Sequence, residues 1–206
     1  MCKAQRTTLE KILAAAKAEF LQKGFVAASL RKIVSDAGVT TGAFYGYFKS
    51  KEELFDALVG AQYDVFMGMY TETQEAFSKL SPRQQEASMG EKSGECLQRM
   101  MKYAYANKDE FRLILCSSEG VPKYENMIHK MVEIEVRATH AFAENMERLG
   151  HPKYSVDPTL EHILVSGLFS AFFEMIIHDV PYENATEYLR ELRDFYTAGW
   201  KKIMGF

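Results

Sequence analysis

The chain holds little that could staple it covalently or bind a structural metal. Its three cysteines, Cys2, Cys96 and Cys116, form an odd and widely spaced set with no C-x-x-C pair. That excludes a disulfide framework and a zinc ribbon and suits a reducing, cytoplasmic setting. No apolar run reaches the roughly 20 residues that cross a bilayer: the longest, Ile163 to Ile177, is interrupted by Ser166, Ser170 and Glu174 and reads as a buried helix. Near the N-terminus the apolar stretch Ile12 to Ala16 is cut by Lys17, so neither an export signal nor a membrane partner is expected. Strand-like alternation and repeats with a period of about 20 to 50 residues are missing too. Without a nucleophile elbow, a P-loop or a dinucleotide fingerprint, no enzyme activity and no cofactor are expected.

What is present is a globular composition, 47% hydrophobic and 26% charged over 206 residues, enough for one domain or two small ones sharing an element. Charge is unevenly distributed. Residues 1–51 carry nine Lys or Arg against three acids, a net of +6, whereas the remainder carries 16 against 25, a net of −9. A basic head on an acidic body is expected where one end meets a polyanion; a solvated charged face is the plainer alternative.

The pattern predicts an all-α chain of about nine helices. Leu9, Ile12, Leu13, Ala16 and Phe20 form one helical stripe that a Thr7/Glu10 capping box opens and Gly24 closes. Ser29 caps a short second helix with Leu30, Ile33, Val34 and Ala37 inward, and Gly38 ends it. Thr40 caps a third from Thr41 to about Gly46, and Ser50 with Glu53 opens a long fourth helix from Lys51 toward Leu80. All five prolines fall where the periodicity breaks, dividing the rest into helices near 91–106, 108–116, 122–149, 158–178 and 184–204. Asp157 and Asn184 serve as the last two start signals, and 81–94 stays open between helix and loop.

Residues 24–55, GFVAASLRKIVSDAGVTTGAFYGYFKSKEELF, have helix-turn-helix spacing, a short helix and a glycine-led turn before a second short helix. Such a unit lays its second helix in the major groove, although the same shape also serves as a packing corner. The phrase A-G-V-T-x-G-x-x-Y-x-x-F-x-S-K-E-E-L from Ala37 resembles the DNA-binding domain of the TetR (tetracycline-repressor) family, over about 47 residues from Thr8 to Phe55. The resemblance implies a helix-turn-helix head (1–51), a helical ligand-binding and dimerisation body (52–206), and a homodimer on palindromic double-stranded DNA.

Gly42 lacks a Cβ and admits close approach, while Thr40, Thr41, Tyr45 and Tyr47 carry hydroxyls that reach phosphates or base edges. Ser29 and Lys51 stand at helix N-termini, which favour phosphate. The family pattern implies phosphate contacts at Ser29, Tyr45, Tyr47 and Lys51 and base contacts at Thr41, Gly42 and Ala43. A core position is the other reading of Tyr45, and Phe44 and Phe48 read as core. Gly46 and Ala43 leave few polar groups, so readout rests on apolar contact with thymine methyls or on DNA shape.

In the body, the resemblance implies that the last two helices form the dimer interface, with Leu164, Gly167, Leu168, Ala171, Phe172, Leu192, Phe195 and Tyr196 as candidates; intramolecular core is the alternative. An effector pocket is expected among Phe66, Met69, Tyr70, Met100, Tyr103, Tyr105, Phe111, Met131 and Phe142, a set rich in adaptable Met and aromatic side chains; ordinary core filling is the other reading of most of them. The i, i+4 pairs His129/Glu133, His140/Glu144 and Glu174/His178 read as surface pairs or a polar patch in the core rather than metal ligands. The reading overall is a ligand-responsive transcriptional repressor, with an all-α carrier or enzyme whose basic head does not act on DNA as its competitor.

Overall fold

The computed structural model describes residues 7–205, so Cys2, Lys3 and Arg6 lie outside it. Among the described residues every regular element is a helix: α1 (Thr8–Ala27), α2 (Leu30–Asp36), α3 (Thr41–Tyr47), α4 (Lys51–Ser78), α5 (Pro82–Ala87), α6 (Glu91–Ala106), α7 (Lys108–Cys116), α8 (Pro122–Glu125), α9 (Met127–Arg148), α10 (Pro158–Ile177) and α11 (Tyr182–Met204). The count is eleven, not nine. A Ser81/Gln84 capping box starts the extra helix α5, and the expected 122–149 helix is two, broken at Asn126. α11 begins at Tyr182, ahead of the expected Asn184, because Pro181 already holds a φ of −56° at its entrance.

The helix starts follow local chemistry. Thr7 and Glu10 form a reciprocal capping box, Ser29 Oγ accepts from the Lys32 amide, and Thr40 Oγ1 accepts from that of Ala43. At α4 the reciprocity is partial: Ser50 Oγ accepts from the Glu53 amide, but Glu53 accepts from the Lys49 amide at 2.6 Å. Gly24 has φ 72°, a left-handed conformation that kinks α1 ahead of its last residues.

The chain divides into two compact units, residues 1–64 with 107–125 and residues 65–106 with 126–206. The unit holding the basic head is thus larger than residues 1–51, since it also includes the start of α4, α7 and α8. Its core is aromatic. Phe20, Phe25 and Phe55 meet at centroid distances of 5.2 to 5.9 Å, and Tyr124 on α8 joins through Phe55 at 5.6 Å and Tyr63 at 5.1 Å. The Phe25 amide donates to the Ser117 carbonyl at 2.8 Å, and Lys17 reaches Asp109 and Glu110 at 2.9 Å each, fastening α7 to α1.

In the second unit, α10 lies along α9, and α11 along α6. Phe66, Phe172 and Phe173 form an aromatic centre with Tyr70 and Phe169 beside it. α10 is long and apolar enough to cross a membrane by length and composition, yet Val165, Phe169, Phe172, Phe173 and Ile176 sit in the core of this unit. The buried carboxylate of Glu161 accepts from Tyr154 Oη at 2.7 Å and pairs with His140 Nε2 at 2.8 Å, so His140 has Glu161 as its partner.

Candidate nucleic-acid interface

α3 is a short helix with two unlike sides. Phe44 and Phe48 are buried, anchoring it, whereas Thr40, Thr41, Gly42, Tyr45, Gly46 and Tyr47 are exposed and Ala43 is half-buried. Tyr45 at 56% and Tyr47 at 48% exposure are large aromatic side chains held in water, which argues against the core reading of Tyr45. A Cβ at Gly42 or Gly46 would meet nothing within 4 Å. The fold itself therefore has no steric need for glycine at either position, and both have ordinary helical backbone. A bare backbone stretch flanked by hydroxyls suits the close approach of an external surface.

Ser29 is exposed at the start of α2, its amide donating to the buried Glu19 carboxylate at 3.2 Å. Arg31, on the first turn of α2, is exposed, and so is Lys49 just after α3. Lys51, expected at a phosphate, is half-buried and bonds within the chain. Its Nζ donates to the carbonyls of Phe25 at 2.7 Å, Val26 at 3.1 Å and Ala28 at 3.3 Å, and lies 4.5 Å from the Phe25 ring centroid. It satisfies carbonyls left over where α1 kinks and ends, and so ties α4 to α1.

The body unit contains a cavity of about 150 Å³ bounded by α4, α6, α9, α10 and α11. Of the residues expected to form a pocket, Tyr70 and Phe142 line it; Met69 lines a separate open groove between α4, α6 and α11. Phe66, Met100 and Met131 are fully buried and close-packed. Tyr103 and Tyr105 do not line the cavity; Tyr105 Oη donates to the Val180 carbonyl at 2.8 Å. Phe111 belongs to α7 in the other unit, so it is a head-unit core residue. Sequence reasoning missed Gln74, Glu135 and Trp200. The Glu135 Oε2 accepts from Tyr70 Oη at 2.5 Å and Gln74 Nε2 at 2.6 Å. Burial pushes the Glu135 carboxyl above its ordinary range, against these two hydrogen bonds, and burial beside it likewise pushes the Tyr70 hydroxyl well up.

The candidate interface residues divide. Phe195 is 73% exposed, with Ile163, Leu160 and Tyr188 also exposed, and Leu164, Ala171 and Leu192 are half-buried. Phe172 is core, packed on Phe66 and Phe173. Leu168 and Tyr196 face the cavity. Gly167 serves contact within the chain, since a Cβ there would lie 2.6 Å from Tyr196 Oη.

Residues 12–58 match the model of bacterial regulatory proteins, tetR family. The chain is 40% identical over 60 residues to an uncharacterised HTH-type transcriptional regulator, YerO, of Bacillus subtilis, covering 29% of this chain and 20% of that one. It is 42% identical over 53 residues to the HTH-type transcriptional repressor BepR of Brucella suis, covering 26% and 25%. The match thus spans a quarter or less of these relatives' lengths. Across the whole chain the fold is similar to a TetR-family member from Streptomyces coelicolor, with TM-score 0.61, 16% identity and 97% and 93% coverage. A TetR-like regulator from Rhodococcus sp. RHA1 gives TM-score 0.59 at 15% identity, with full coverage of both chains.

Proposed function

We propose, from the premise that this helix-turn-helix head belongs to the tetR family of bacterial regulatory proteins, that the chain is a ligand-responsive, sequence-specific DNA-binding transcriptional repressor. It acts in the cytoplasm as a homodimer on a palindromic operator and is no enzyme. The observation that carries this reading is the two-sided α3: buried phenylalanines fix it while hydroxyls and bare glycines face solvent.

On DNA, α3 enters the major groove with Thr41, Gly42 and Ala43 toward the base edges. Thr40, Tyr45, Tyr47 and Ser29 hold phosphates, which fix register without reading sequence. Few hydrogen bonds go to bases, so specificity rests on methyl contact by Ala43 and on duplex shape. The exposed apolar side chains of α10 and α11, Phe195 foremost, support pairing with a second copy.

The cavity is the effector site in this reading. α4 supplies Tyr70, Gln74 and Phe77 to it and is the same continuous helix whose first residue, Lys51, ties to α1 in the head. A ligand that prefers one setting of α4 therefore biases the head. A coupling of about 1 to 3 kcal/mol would weaken operator binding roughly 5- to 150-fold. A gel shift against the gene's own upstream region tests the DNA reading. Retardation that competes with unlabelled specific DNA is expected, and no retardation at low salt would leave the carrier reading standing.

A further inference from the structure

The cavity wall carries a carboxyl group without a cation. Glu135 places Oε2 between Tyr70 Oη and Gln74 Nε2, while Oε1 accepts no hydrogen bond from the described residues. Two basic side chains line the same cavity, but each is drawn to an acid of its own helix: Lys92 Nζ lies 3.6 Å from Glu95 and Arg193 3.3 Å from Asp194. Glu135 makes no ion pair with either. Around it the walls are apolar and aromatic, with Phe77, Phe142, Phe169 and Trp200 among them. A carboxylate on an apolar wall favours an opposite charge beside it, and a ring face stabilises a nearby cation.

We infer that the cavity takes a small lipophilic amine, an aromatic or alicyclic body with a protonated nitrogen that donates to Glu135 Oε1. This rests on the reading of the cavity as the effector site and names its ligand class. The size follows from the volume: about 150 Å³ is close to that of a cavity known to accept one benzene ring. The charge follows from the lone carboxyl: an ammonium beside it favours the ionised form, opposing the upward push of burial. An anion of the same size would face Glu135 directly, with the cations of Lys92 and Arg193 already turned to their own acids.

Three probes of one shape test the inference on the full chain by isothermal titration without DNA: benzylamine, benzyl alcohol and benzoate. Benzylamine is expected to bind about 10- to 100-fold tighter than benzyl alcohol, the usual gain for a hydrogen bond to a charged partner, and benzoate weakest. Glu135→Gln keeps an oxygen for Tyr70 and Gln74 but removes the charge, and should bring amine and alcohol to about the same affinity. Equal binding of amine and alcohol, tighter binding of benzoate, or a preference that survives Glu135→Gln would overturn the inference. The ranking on the unsubstituted chain decides the matter even where the variant does not fold. Operator affinity measured with and without saturating benzylamine separates the two claims. Tight amine binding that leaves DNA affinity unchanged defeats the effector reading alone; release of DNA by the alcohol or benzoate with no amine preference defeats the ligand class alone.

Discussion

Lys51 shows how one side chain changes meaning between sequence and structure. At a helix N-terminus beside a basic motif it reads as a phosphate holder, but its ammonium faces three carbonyls contributed 23 to 26 residues earlier. Lys51→Met should therefore destabilise the head by about 1 to 3 kcal/mol in urea unfolding, the range for losing hydrogen bonds to a charged donor. The salt slope of DNA binding should stay put; a slope smaller by about one would return Lys51 to a phosphate. A second cluster is equally invisible in the sequence. Asp56 accepts from Tyr124 Oη and pairs with Lys123 at 3.0 Å, and the Tyr124 hydrogen bond, ahead of the lysine, holds its carboxyl below the usual carboxylate range. A lowered folded pKa contributes stability above the unfolded value, near pH 4, that is lost as pH falls through the folded value. Urea midpoints should accordingly fall below about pH 4, and Asp56→Asn should flatten that acid limb. Caps such as Ser29 and Thr40 were legible because their partners lie three residues away. Lys51 and Asp56 were not, because their partners come from helices brought together only by folding.

Among the elements, α3 is the one whose composition works against its own stability. Two glycines in seven helical residues cost up to about 1 kcal/mol each relative to alanine, and neither is required by a neighbouring side chain. Gly46→Ala and Gly42→Ala should each raise the urea midpoint of the head. Only Gly42→Ala, adding a methyl where α3 is to meet base edges, should also weaken operator binding in fluorescence anisotropy; unchanged affinity would take position 42 off the interface. Helix periodicity located α4, α6, α7 and α10 well, since an apolar stripe needs no knowledge of what covers it. It could not separate Tyr70 and Phe142, which line the cavity, from Phe66, Met100 and Met131, which are close-packed. All are apolar or aromatic side chains on helix faces turned inward, and whether such a face meets another side chain or a void is set by the opposing helix. The break at Asn126 was missed for a related reason: Tyr124 is held by Phe55 and Tyr63 in one unit while Met127 is buried in the other, so the chain changes partners between them.

For the whole molecule, the proposed dimer explains why Phe195 is left 73% exposed and why Leu160, Ile163 and Tyr188 remain in water on α10 and α11. A single head, with few polar groups to read bases, would bind DNA weakly and with little discrimination. Two heads on one assembly bind a palindrome with the second contact made intramolecular, which raises avidity by about 100- to 10,000-fold without any new contact. Phe195→Asp places a charge in that apolar face, where desolvating an unpaired carboxylate opposes association, and it leaves the monomer core untouched because the side chain is exposed. Sedimentation should then shift from dimer to monomer with an unchanged thermal midpoint for the monomer. Affinity for a full palindrome should fall by a factor in the avidity range, whereas affinity for a duplex holding one half-site should not change. Equal losses on both duplexes would mean that Phe195 acts on the head itself, and a dimer that persists would move the interface away from α11.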